Sequence, residues 1–422
     1  MAGRLKFNFY CLQVTFCVIV MWAIFINIIL YVVMPRQPPA VQSGLITKFL
    51  DLCAYVELKP VLIEPSLLTE ISTSQFNWSS LSQHQFTFAS LIDFDCELVK
   101  SNLAKLVSHN ILWCNQTGHY FVARTPLATI QLVRVTESLP RFVGILPLNY
   151  SSSVFGQQTT VIERRFLSNA QVTQVDSVSL VVPRDVNTFT RQIGYGKLLA
   201  CDVERAQHFF ENYPEMKRIA ESADGVQFRR NVRHLLSKAA EALFDLEIPF
   251  WLSSGTLLGW YRQCDVIPYS RDADIGILAE NYDPDLITAL EDVGLQLKMR
   301  FGMVNDSLQL SFFAKEVKLD IYFFYKDATT DRVWNGATRP ETGEKFKYWF
   351  PDFSLCWTNF LDMPFYVRVP CPTDRYLEAN YGTSWMQPVT NWSWSESPPN
   401  VQPNGRWSSD LMEEAVQVFQ PG

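Results

Sequence analysis

Histidine is scarce and badly placed for catalysis. The chain has five, His84, His109, His119, His208 and His234, and none follows residue 234. All five precede the glycine turn at Gly255, so a His-based triad is excluded from the core that follows it. No G-x-S-x-G elbow surrounds Ser253 or Ser254, so neither reads as an α/β-hydrolase nucleophile. None of the nine cysteines forms a C-x-x-C pair, which argues against a zinc site. Internal repeats, low-complexity tracts and a nucleotide-binding glycine motif in the N-terminal half are all missing. Positive charge is also short: the net charge is −7, so a broad electrostatic grip on nucleic acid is excluded. Any phosphate bound here has to be met by a local group of cations or by a metal.

Apolar residues are abundant, at 48%, and aromatics reach 14%. Between Lys6 and Arg36 there is no charged residue, and "VTFCVIVMWAIFINIILYVVM" is apolar almost throughout. About 20 apolar residues cross a bilayer. The expectation is a cytosolic tail over 1–6, an uncleaved signal anchor over 7–34 and a Pro-rich stem over 35–44. Sequons at Asn77, Asn115, Asn149, Asn305 and Asn391 all follow the anchor, which favours a lumenal body. Seven cysteines lie beyond it, an odd number, so at least one stays unpaired or bridges chains.

From 45 to 213 short apolar runs such as "QFTFASLIDF" and "SVSLVVPRDVNTF" alternate with polar turns, which predicts a mixed α/β or β-rich domain of unassigned role. A second domain is expected over 227–410. There Val232, Leu235, Leu236, Ala239, Leu243 and Leu246 recur at helical spacing. "IPFWL" reads as a strand, "TLLGWYRQ" as a helix, "DADIGIL" as a strand and "DPDLITALEDVG" as a helix closed by Gly294. Three more strands follow, "LQLKMRF", "SLQLSFF" and "EVKLDIYFFY", and several connections are too short for crossovers, so the sheet must be partly antiparallel. The fold class is α/β, with a mixed sheet and flanking helices.

The chemistry concentrates in "SGTLLGWYRQCDVIPYSRDADIGIL". Asp272 and Asp274 share one face of a strand, with α-carbons ~6.5–7 Å apart. Both can reach a divalent ion, and Mg²⁺ or Mn²⁺ suits such hard oxygen ligands. Asp320 is a lone charge in an apolar strand, costly unless paired or metal-bound. A glycine turn after a strand, a helix start, a D-x-D and a later strand Asp together match the nucleotidyltransferase arrangement, with Gly255 and Thr256 beside phosphate. Arg262, Arg271, Lys345 and Lys347 are candidate cations for a diphosphate donor. Lys318 reads instead as a solvated surface charge, and Phe346, Tyr348 and Phe350 as either slot or core. Cys264 reads as structural or disulfide-bonded.

The same stretch resembles the LicD/fukutin family. "PFWLSSGT", "LGWYRQC", "VKLDIYFFY", "WNGATRPETGEKFKYWFP" and "SPPNVQPNG" carry the resemblance, densely from about Val232 to Trp407. It implies a nucleotidyltransferase-like catalytic domain and a Golgi enzyme of type II topology. The implied reaction transfers ribitol 5-phosphate from CDP-ribitol to a GalNAc-containing O-mannosyl glycan on a dystroglycan-like protein, releasing CMP. By that resemblance Asp272 and Asp274 are metal ligands; Asp320 is added from the fold, as a ligand or general base. Other Golgi transferases such as fukutin-related protein are the implied partners. Two alternatives stay open: another CDP-alcohol donor such as CDP-choline, and a non-catalytic scaffold. Ser270 and Arg271 stand where LicD sequences carry further acids, which weakens the expectation of a second metal.

Overall fold

The apolar spacing after residue 227 becomes a helix, α1, Ala223–Asp245, capped by Ser222, whose hydroxyl accepts from the Gly225 N–H. Val232, Leu235, Leu236 and Leu243 are buried along its inner face, each contributing about 1.5–3 kcal/mol of apolar burial. The structure is a computed structural model that describes residues 39–76, 78, 85–106, 111–114, 120–124, 128–139, 141–145 and 160–419. The expected anchor over 7–34 lies outside these residues. Among the described residues no helix is long and apolar enough to cross a membrane.

Two compact units divide the chain: Met1–Val135 with Phe166–Asn187, and Thr136–Arg165 with Thr188–Gly422. In the first, five strands pair in the order Val61–Leu62, Gln85–Ser90, Thr129–Arg134, Tyr120–Arg124 and Ile111–Cys114. Phe86, Phe88, Phe121, Ile130 and Leu132 fill its core. Residues 39–44, expected in a stem, belong instead to a helix, Pro39–Tyr55. Proline fits the first helical turn, where its missing N–H has no intrahelical partner to lose. Cys96 pairs with Cys114. Cys53 is a buried free thiol, and burial pushes its pKa up to about 12, so it is unreactive.

The second unit is larger than the 227–410 segment expected from sequence. It takes in a three-stranded sheet of Thr136–Leu139, Phe142–Ile145 and Thr160–Glu163. Phe142 packs edge-on against Trp357, with centroids 4.9 Å apart. The Cys201–Cys264 disulfide ties residues ahead of α1 to the end of the next helix. These contacts, invisible in local pattern, move the boundary toward the N-terminus.

Its main sheet, of twelve strands among the described residues, is mixed. After α1 come β1 (Phe250–Leu252), α2 (Ser254–Gln263), β2 (Asp272–Leu278), α3 (Leu286–Asp292), β3 (Gln296–Met303), β4 (Asp306–Ala314) and β5 (Val317–Lys326). Then follow β6 (Arg332–Arg339), β7 (Glu344–Pro351), β8 (Ser354–Thr358), β9 (Val367–Cys371), α4 (Thr373–Tyr381) and β10 (Val401–Arg406). Across the sheet the order is β8-β9-β1-β2-β5-β4-β3, edged by Leu198–Leu199 beside β8 and Val416–Val418 beside β3, with β6, β7 and β10 continuing from the end of β5. The central pair β2–β5 is parallel, while β4 and β1 lie antiparallel to it. Gly276 lets the sheet close over its core: a Cβ there would sit 2.4 Å from the Trp251 ring. Cys356 and Cys371 form the third disulfide.

Candidate active site

Strand parity builds the floor. Asp272 and Asp274 point to one face of β2, and parallel β5 sets Asp320 opposite Asp274 and Lys318 opposite Asp272. On the other side of β5, β4 sets Ser311 opposite Asp320 and Gln309 opposite Tyr322. One oxygen from each of Asp272, Asp274 and Asp320 lies within 4.8 Å of the others. Asp274 and Asp320 are 5% and 2% exposed, and Asp272 is half-buried.

Each carboxylate is held differently. Asp274 Oδ2 accepts from the Gly255 N–H at 3.0 Å, and the Asp274 N–H donates to Thr256 Oγ1 at 2.8 Å. The start of α2 is thereby latched to β2. Asp320 Oδ1 accepts from Ser311 Oγ at 2.5 Å, and its Oδ2 lies 2.7 Å from Lys318 Nζ. The same ammonium stands 3.7 Å from Asp272 Oδ2. Burial, then the charges of Asp272 and Asp320, push the Asp274 carboxyl well above the ordinary range. Burial also raises Asp272, opposed mainly by Lys318. Burial alone would lower the Lys318 ammonium, but Asp320 and the other two carboxylates outweigh it and raise it. Three hard oxygen donors that are costly to keep ionised fit a divalent cation well.

The floor opens into a cleft of about 750 Å³. Ser254, Gly255 and Arg262 border it at α2, and Tyr269, Tyr322, Tyr348 and Tyr381 line its walls. Val389, Trp392 and Trp394 stand at the mouth, 50%, 38% and 43% exposed. Trp392 rests on Tyr381, centroids 4.9 Å apart, and the Tyr348 hydroxyl donates to the Trp394 carbonyl at 2.8 Å. Burial, reinforced by the three carboxylates, holds the Tyr322 hydroxyl in its protonated form.

Not every residue expected from sequence reaches this cleft. Gly255 does, but the left-handed backbone of the turn belongs to Ser254, at φ 43°. Thr256 is buried behind the cleft as the partner of Asp274. Arg262 lines the cleft and is 1% exposed, with its guanidinium 4.5 Å over the Phe209 ring. Arg271 is exposed and does not line it. Lys345 and Lys347 are also elsewhere, because alternation on β7 gives the cleft side to Tyr348 and Phe350. Lys345 pairs with Asp306 at 2.7 Å, and Lys347 lies 3.9 Å over the Trp334 ring. Conversely Lys318, read as a surface charge, is at the centre, with Ser311, Gln309 and Tyr322 on the same face. Parity carried that signal: Lys318 is two residues from Asp320, and Gln309 and Ser311 alternate with Leu308, Leu310 and Phe312. Of the sequons, Asn305 and Asn391 are exposed, while Asn77, Asn115 and Asn149 lie outside the described residues.

Residues 247–373 match the family model described as LicD/FKTN/FKRP, nucleotidyltransferase domain. A Homo sapiens protein named ribitol-5-phosphate transferase FKTN is 36% identical over 90% of this chain and 88% of its own length. The chain belongs to the LicD/fukutin family. A Mus musculus LicD/fukutin protein of the same name is 47% identical over 79% of this chain and 73% of its own. Among solved structures, a Megavirus polyadenylate synthase aligns at TM-score 0.24 and 9% identity, over 72% of this chain and 61% of its own, too remote to inform the fold. The LicD/fukutin match runs from the approach to β1 to the first residue of α4. It therefore holds the carboxylates and Lys318 but stops short of Tyr381, Trp392 and Trp394. Membership makes the chain a transferase.

Proposed function

We propose that this chain transfers ribitol 5-phosphate from CDP-ribitol to a GalNAc-containing O-mannosyl glycan of the α-dystroglycan type, releasing CMP. The name shared by the relatives supports the transferred group. The observation that carries the reading is the convergence of Asp272, Asp274 and Asp320 at the floor of the cleft.

Asp272, Asp274 and Asp320 would hold Mg²⁺ or Mn²⁺, which supplies neutralisation of the donor diphosphate and of the charge developing on CMP. Arg262 is the second source of positive charge. It is buried and hydrogen-bonded to neutral Gln263 and Tyr269 rather than to a carboxylate, so it remains available for a phosphate oxygen. The tyrosine walls exclude water from the donor. The acceptor hydroxyl oxygen bonds to the ribitol-bearing phosphorus as the phosphoanhydride bond to CMP breaks. Asp320 is ill suited to take the hydroxyl proton, since Ser311 and Lys318 occupy its two oxygens. Asp272, the least buried of the three, serves better. The aromatic mouth at Trp392 and Trp394 receives the acceptor sugar, whose C–H faces stack on indole. The apolar run over 7–34 anchors the enzyme as a type II protein of the Golgi membrane with this unit in the lumen.

A panel of CDP-ribitol, CDP-choline and CDP-glycerol, scored by CMP release in the presence of acceptor glycan, tests the donor. CDP-ribitol should be preferred by at least tenfold; faster release from CDP-choline would overturn the assignment.

A further inference from the structure

The carboxylate cluster already contains one cation. Lys318 Nζ lies 2.7 Å from Asp320 Oδ2 and 3.7 Å from Asp272 Oδ2, bridging two of the three acids. We propose that Lys318 stands in for a second metal ion, so that this centre binds a single divalent cation. The inference rests on the metal-assisted reading above and narrows it.

Three features support it. The first is charge. Before any donor is bound, three carboxylates and one ammonium sum to −2, which one dication balances. The second is occupancy. Asp320 gives Oδ1 to Ser311 and Oδ2 to Lys318, so it has little capacity left to share with a second ion. Among the described residues, no fourth His, Cys, Asp or Glu joins the trio. The third is rigidity. Lys318 is two residues from Asp320 on a strand paired on both sides, so parity keeps its side chain on the carboxylate face. Its side chain is only 29% exposed. In two-metal phosphoryl-transfer centres the ions sit about 3.5–4 Å apart and share carboxylates. A lysine held between two acids performs the same neutralisation without exchange.

The test uses the full-length protein in detergent, titrated with Mn²⁺ alone by calorimetry and electron paramagnetic resonance. Wild type should bind one Mn²⁺ per chain, with the spectrum of an isolated ion. Lys318→Met, which removes the ammonium but keeps the stem, should bind Mn²⁺ at least tenfold more tightly. Lys318→Arg, which keeps the charge, should match wild type in stoichiometry and affinity. A spin-coupled Mn²⁺ pair in wild type would overturn the proposal, as would an unchanged affinity in Lys318→Met. Should Lys318→Met fail to fold, the wild-type stoichiometry and Lys318→Arg still decide. No donor is present, so failure of the ribitol assignment leaves this result untouched. Failure of wild type to bind any Mn²⁺ would overturn the metal-assisted reading and this proposal together.

Discussion

Replacing Asp274 with Asn should stabilise the metal-free protein and destabilise the metal-bound one, relative to wild type. Asp274 is buried with two like charges whose ligand oxygens lie within 4.8 Å. At an effective dielectric of about 20, two unit charges at that separation repel by about 3.5 kcal/mol. Lys318 offsets part of this, and Asn retains a carbonyl oxygen for the Gly255 N–H. A net gain of about 1–2 kcal/mol follows, or about 2–8 °C in melting temperature for a unit of this size. The pH dependence has a definite sign. The Asp274 carboxyl is raised in the folded state, so its ionisation penalty is full at high pH and is relieved as pH falls through the raised value. The gap between variant and wild type in EDTA should therefore narrow on acidification. Saturating Mn²⁺ reverses the order, because binding at a hundredfold excess over Kd adds about 2.7 kcal/mol to wild type alone. Thermal melting at neutral pH, with EDTA and then with Mn²⁺, should show the two curves cross. A wild type that melts above the variant in EDTA would mean that Asp274 is a structural keystone. In that case the electrostatic account of the floor fails.

Three further outcomes are expected. Arg262→Met should weaken CDP binding at least tenfold, whereas Lys345→Ala and Lys347→Ala should change it less than threefold, both read by calorimetric titration; the reverse pattern would relocate the donor. Trp392→Ala should raise the KM for acceptor severalfold while the KM for CDP-ribitol stays constant, and a change confined to the donor would assign the mouth to the nucleotide. Cys201→Ser should lower stability by ~2–4 kcal/mol, since that disulfide closes a loop of 63 residues and pins the end of α2; an unchanged melting temperature would show the link to be dispensable.

Much of the catalytic unit is legible in the sequence, and for a definite reason. Asp272 and Asp274 lie two apart on a strand, and period-2 alternation leaves them no choice but to share a face. The helix that carries Val232, Leu235, Leu236, Ala239 and Leu243 is equally explicit, because these residues recur at helical spacing, although its start at Ala223 is not. Asp320 needs one further inference, that a lone acid in "VKLDIYFFY" is costly unless partnered. The misreadings within the cleft mostly concern which neighbour a face meets. Lys318 has the parity of Asp320, but only the parallel pairing of β2 with β5 reveals that this face is an acidic floor rather than solvent. Lys345 and Lys347 alternate with aromatics, and local pattern cannot say which set the cleft receives. The larger extent of the catalytic unit is set by the Phe142–Trp357 contact and the Cys201–Cys264 bridge, which join residues far apart in the chain.

The central claim is that a carboxylate-bound dication and CDP-ribitol meet at this floor. Its most direct test is CMP release from CDP-ribitol and acceptor glycan by full-length protein, wild type against Asp272→Asn, with EDTA and then with Mg²⁺ or Mn²⁺. Wild type should turn over only with the divalent ion, and the variant should fall at least a hundredfold while keeping its fold. Equal CMP release by the two proteins, or release by wild type that EDTA leaves unchanged, would contradict the account.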